Sequence, residues 1–269
     1  MKLITINNKT IHVPENWNEL TAKQLQAVMN ILFIQKYSPE LMVVHLMRLL
    51  FGMDINEFKK LAPEDIEEYL DLVVFLLQGP LNLTKNIIPK YQYKGSWGIG
   101  KIFYGPEDEC MNLIMDELVF SESYFMSWFD NKEDLHLLNE LVAVLYRPAK
   151  RKYNLKRNPE GDVREPFNQY NCSFHAKRYI QMWPLPIKLG IAYWFRGCWQ
   201  KWMNDNPNVF KGDGDPAQYG MISVMRNVAK DGVYGDIEKV GKTYVNQILM
   251  ELNEVVAEAD KIKQNSPTV

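Results

Sequence analysis

The chain has 269 residues, 46% hydrophobic and 12% aromatic, with 31 Lys and Arg against 33 Asp and Glu for a formal net charge of -2. That length and apolar content suffice for one large domain or two small ones, and the near-neutral balance gives no general pull toward nucleic acid or an anionic membrane. Cys110, Cys172 and Cys198 are odd in number and widely spaced, which argues against a disulfide framework and for a reducing compartment. Met1–Ile6 runs straight into polar residues without a signal-peptide core, and the apolar runs around Leu72–Leu77 and Ile191–Phe195 fall far short of the roughly 20 residues of a membrane span. A soluble protein, intracellular where it is made, is expected.

Residues Leu3 to Val13 alternate apolar and polar about Asn7-Asn8, predicting a small β-hairpin that must pack on something to persist. Thr21-Ala22-Lys23-Gln24 has the spacing of a capping box, with Leu25, Val28, Met29 and Leu32 as the buried face of the helix that follows. Ser38-Pro39-Glu40 starts a second helix that ends near Gly52, a short one follows Asp54, and another runs from Pro63 to Leu77. Residues 1–80 thus read as a hairpin plus a helical cluster. Residues 81–105, broken by Pro89, Gly95, Gly98, Gly100 and Gly105 and rich in Tyr, read as an irregular or hairpin-like connector.

Residues 106–205 form a central helical region: two or three helical segments up to Tyr146, a polar loop over 147–168, then helices around Cys172–Met182 and Pro184–Met203. Residues 215–263 read as a helical hairpin. Asp215-Pro216 opens its first helix, which lines up Ile222, Met225, Val228 and Ala229. After the turn Asp231–Gly235, Asp236 caps a second helix with one apolar stripe through Ile237, Val240, Tyr244, Ile248, Leu252, Val255 and Val256. The predicted fold class is mainly α: a multi-helix globular protein with a small N-terminal β-hairpin and a C-terminal helical hairpin.

The chemistry-bearing residues give no catalytic residue, cofactor or metal site. Cys172-Ser173-Phe174-His175 has the spacing of half a zinc site but no second pair. A Cys nucleophile needs a His base and an electropositive site beside it in space, which sequence order does not reveal, so each of the three Cys reads by default as a buried small hydrophobe. Gly95–Lys101 lacks the spacing of a phosphate-binding loop, and no helix follows it. The acids of Glu64–Asp71 fall opposite Ile66, Tyr69, Leu70 and Val73, as a solvated helix face would. Six Lys or Arg lie between Arg147 and Arg157, and Lys150, Arg151, Lys152, Lys156 and Arg157 around Tyr153 suit either nucleic acid or an acidic protein surface. Trp194, Cys198 and Trp202 recur at four-residue spacing and, with Trp199, suit a core or a partner groove. The exposed residues of the last helix mix Lys239, Lys242 and Asn246 with Glu238, Glu251, Glu254 and Glu258, which disfavours a DNA-reading helix and favours partner contact through Tyr244, Ile248 and Leu252.

Val13–Thr21 with Gln24-Leu25, Glu140–Pro148, and Tyr219-Gly220 with Val228-Ala229 and Gly232-Val233 resemble segments of small proteins from the tail-gene modules of bacteriophages and prophages, especially those of Bacteroides-type hosts. The resemblance covers about a fifth of the chain and does not extend to the loop Arg147–Asn168 or the Trp-rich helix. It implies a non-enzymatic tail assembly factor of chaperone type that binds another tail protein such as the tape measure. The alternatives are a structural virion protein (connector, ring or cargo subunit) that pairs with copies of itself or, more weakly, a nucleic-acid-binding phage protein. The corresponding location is the host cytoplasm during assembly, or the virion for a component that stays.

Overall fold

The computed structural model describes residues 1–6, 9–53, 55–58, 60–94, 100–151, 161–210 and 220–265. The protein is mainly α-helical and divides into two compact units: Met1–Ile88 with Trp183–Gly197, and Pro89–Met182 with Cys198–Val269. This division differs from a cut near residue 80, because a distant helix segment completes the first unit.

In the first unit, β1 (Lys2–Ile6) and β2 (Lys9–Val13) form the antiparallel hairpin, with Ile4 opposite Ile11. Its turn at Asn7-Asn8 lies outside the described residues. Alternation sends Val13 and Ile4 inward and leaves Leu3 exposed. The Trp17 indole donates to the Phe75 carbonyl at 3.1 Å and meets the Phe75 ring edge-on. Helix α1 (Ala22–Phe33) begins at the expected capping box: Thr21 Oγ1 accepts from Gln24 N, and Gln24 Oε1 accepts from Thr21 N. It buries Leu25, Val28, Met29 and Ile31, while Leu32 is only half-buried.

Helix α2 (Pro39–Phe51) has Ser38 as N-cap and ends at Gly52, whose φ of 69° is a left-handed stop that glycine adopts without a Cβ clash. Helix α3 (Ile55–Phe58) is one turn, and α4 (Pro63–Leu77) buries Val73 and Leu76. The acids Asp65, Glu67, Glu68 and Asp71 are exposed, as their spacing predicts.

The second unit holds a three-stranded antiparallel sheet, β3 (Lys90–Lys94), β4 (Gly100–Tyr104) and β5 (Arg147–Pro148). Part of the predicted connector is therefore an ordered hairpin, and the start of the polar loop is its third strand. Helices α5 (Met115–Asp130) and α6 (Leu135–Leu145) pack side by side, and α6 also meets α7 (Gln169–Arg178). Every residue from Leu138 to Pro148 is buried, as an all-round apolar helix demands. Helix α8 (Leu185–Asp205) contributes to the first unit through Gly197 and to the second from Cys198.

The last segment departs from a simple hairpin. Helix α9 (Gly220–Asp231) buries Met221, Met225 and Val228 and leaves Ile222 exposed; its predicted Asp215-Pro216 start lies outside the described residues. Asp236 caps α10 (Ile237–Gly241), as expected, but that helix stops after five residues. Tyr244 then forms an isolated antiparallel bridge with Ile114, flanked by Met115 N donating to Thr243 O and Val245 N to Leu113 O. Helix α11 (Val245–Asn265) follows. The stripe from Ile237 to Val256 is thus split over two helices, because residues 243–245 find inter-segment hydrogen bonds in place of helical ones.

Candidate functional site

The most heavily charged interior of the second unit is built around Glu117. Glu117 lies on the buried side of α5 among Met115, Leu118, Ser121, Phe125 and Trp128, where a carboxylate must find cations. Two arrive. Arg147 directs Nη2 at Glu117 Oε1, donates from Nη1 to the Val144 carbonyl, and donates from Nε to the Glu165 carbonyl at 2.8 Å. Arg164 reaches Glu117 Oε2 from Nη2 at 3.2 Å, bonds the Leu145 and Asn112 carbonyls, and grips Asp162 with Nε and Nη2. Two guanidinium and two carboxylate charges balance. Burial alone would lower the Arg164 pKa; Glu117 and Asp162 outweigh it and hold the group above its ordinary value.

This arrangement corrects the expectation of a polar loop over 147–168. Lys150 N donates to Val163 O, Glu165 N donates to Pro148 O, and Ala149 bridges Arg164, so the loop's two ends pair like a short ribbon. Arg147 and Arg164 are core residues, each exposed by 2% or less. Beside them, His175 Nε2 lies 2.8 Å from Glu165 Oε1, and burial pushes the imidazole below its usual value against the opposing effect of that carboxylate. Among the described residues His175 Nδ1 has no hydrogen-bond partner. Ser173 Oγ donates to the buried Glu140 at 2.9 Å.

The other candidates separate from this cluster. Lys150 is half-buried and Arg151 exposed, while Lys152, Lys156 and Arg157 lie outside the described residues. Trp194 and Trp202 are buried within their own chain: the Trp194 indole donates to the Thr84 carbonyl at 2.8 Å, and the Trp202 carbonyl accepts from Asn206. As partner-binding residues they are corrected to core, because their own chain already covers them; Ile248, fully buried, is corrected likewise. Trp199 is half-buried against Phe125, Leu252 is half-buried, and Tyr244 is 46% exposed.

Cys172 is buried and its thiol is pushed up to about 11, chiefly by burial. Cys110 and Cys198 are hydrogen-bonded neighbours, both buried. Gly95–Ile99 of the glycine-rich stretch lies outside the described residues, and Gly100-Lys101 sits on a strand. Among the described residues no group of three or more His, Cys, Asp and Glu could hold a metal, and no helix is long and apolar enough to cross a membrane.

What remains open to a partner is the far part of α11. Val245, Ile248 and Leu249 are buried, whereas no described side chain from Met250 to Lys261 is. Met250 is 62% and Val255 54% exposed, and Val233 and Ile237 nearby in sequence are exposed too. Sequence periodicity pointed to this helix but not to the Glu117 cluster; the available signal was a Glu in register with the apolar positions of α5 and an Arg closing an all-apolar run.

Searches against protein-family models, curated proteins and solved structures find no match.

Proposed function

We propose that the protein is a non-enzymatic assembly factor of a phage tail module that shields an apolar, helix-forming tail protein such as the tape measure. The observation that carries the reading is α11: its apolar stripe is fully buried at Ile248, but farther along the helix Leu252 and Val256 are only half-buried and Val255 is 54% exposed. Exposed apolar surface of this kind marks interaction sites, and helix-on-groove association is a common way to cover it. The likeness of Val13–Thr21 and Glu140–Pro148 to tail-module proteins supplies the setting. The charge-balanced interior around Glu117 fits a structural role: it joins α5 to the paired loop ends and leaves no charge uncompensated.

Co-expression with the tape-measure protein of the same tail module tests this. The expected result is a soluble, co-purifying complex; a tape measure that stays soluble alone, or never co-purifies, ends the reading. Stoichiometric presence of the chain in purified virions would instead identify a structural component.

A further inference from the structure

The near-neutral charge of the whole chain hides one locally biased surface. Helix α7 with its flank, residues 168–182, contains no Asp or Glu, and neither do residues 90–104 of the β3–β4 hairpin. Between them these segments carry Lys90, Lys94, Lys101, Lys177 and Arg178. Among the described residues none of these five cations is in an ion pair. The two segments pack together within the second unit: the Tyr93 ring lies 5.7 Å from Tyr179, Phe103 lies 5.6 Å from His175, and Lys101 Nζ sits 5.0 Å above the Tyr179 ring.

The orientation of α7 is fixed by what it buries. Cys172, His175 and Ala176 face inward, so helical periodicity places Tyr170, Phe174, Lys177 and Arg178 together on the outer face. Tyr170 is 85% and Phe174 57% exposed. Two aromatic rings four residues apart stand about 6 Å apart along the helix, a separation comparable to one step of an extended nucleotide chain. The cations follow within the next turn. Two carboxylates touch α7, and both are engaged: Glu165 by His175, and the buried Glu140 by Ser173.

We propose that this outer face of α7, with Lys101 at its edge, binds single-stranded nucleic acid: bases stack on Tyr170 and Phe174 while phosphates meet Lys177, Arg178 and Lys101. Stacking platforms interleaved with cations bind single strands with little sequence preference. The site uses no residue of the basic run Arg147–Arg157 and stands independently of the tail-assembly reading. Flat, solvated rings set among cations favour a polyanion that also stacks over an acidic protein segment, which would use the cations alone.

Anisotropy of a labelled oligothymidylate with the full-length protein, titrated at low and then rising salt, tests the site. Y170A/F174A should weaken binding roughly tenfold or more and leave the salt slope unchanged. K177E/R178E should weaken binding and flatten the slope of log K against log salt by about 1.4, or 0.7 for each lost phosphate contact. All four residues are exposed, so both variants should melt as the parent does. K150A/R151A should change little. No oligonucleotide binding at low salt, or binding indifferent to Y170A/F174A, overturns the proposal. So does polyglutamate that competes as well as unlabelled oligonucleotide, which would make the face an acidic-protein site.

Discussion

Glu117 is the residue on which the second unit's interior depends, because it is shared by two buried guanidinium groups. Removing one partner of a buried ion pair costs about 3–5 kcal/mol, since the other charge is left without compensation. E117Q leaves Arg147 without a carboxylate and Arg164 with Asp162 alone, whereas R147M leaves Glu117 paired with Arg164 and Arg164 still held by Asp162. E117Q should therefore lose about 3–5 kcal/mol in urea unfolding and R147M distinctly less; equal losses would show that the two arginines do not share the carboxylate.

His175 adds a pH dependence. Its folded-state pKa lies below the ordinary value near 6.5, chiefly through burial, with Lys101 adding to the depression and Glu165 opposing it. The unfolded chain therefore takes up the proton first as pH falls. The stability from the buried neutral ring is complete above about pH 6.5 and declines below it, down to the folded-state pKa. The urea midpoint should fall between about pH 7.5 and about pH 5.5, and by less in H175Q; parallel profiles for parent and variant would exclude the histidine as the cause.

Among the elements, those written in local chemistry were legible. The Thr21–Gln24 capping box, the Ser38-Pro39 start and Gly52 stop of α2, and the β1–β2 alternation each involve residues a few positions apart, and each is formed. Long-range contacts were not legible. No local pattern reveals that α8 packs Gly190 on Leu25, that 148–150 pairs with 163–165, or that residues 243–245 leave the helix to bond 113–115. The same asymmetry predicts how two glycines respond to alanine. A Cβ at Gly197 would lie 2.1 Å from the backbone carbonyl oxygen of Leu83, a group that moves only if the segment moves. One at Gly241 would meet the Asp116 side chain at 2.4 Å, and that carboxylate can rotate away. G197A should cost about 1–3 kcal/mol as an overpacked contact and G241A less; thermal midpoints in the reverse order would contradict the close approach of α8 to residue 83.

For the whole molecule, the thiols and the last helix separate interior from surface. Cys110, Cys172 and Cys198 are all buried, and burial raises the pKa of both Cys110 and Cys172, so thiolate is scarce and enclosed. A disulfide reagent should react with none of them in the native protein and with all three once it is unfolded; prompt native labelling would mean that the second unit opens locally. Helix α11 sorts in the same way, and here stability and function should part. I248A truncates a fully buried side chain and should cost about 2–5 kcal/mol. V255E alters a side chain on the same stripe that is 54% exposed, so a surface substitution of this kind should shift stability by no more than about 0.5 kcal/mol. If α11 docks through that stripe, however, V255E must bury a charge against the partner's apolar surface, which is far more costly than the lost contact. V255E should thus melt like the parent and fail to retain the tape-measure protein on co-purification. Retention at parental yield would leave the exposed face of α11 without that role, even with the complex itself confirmed.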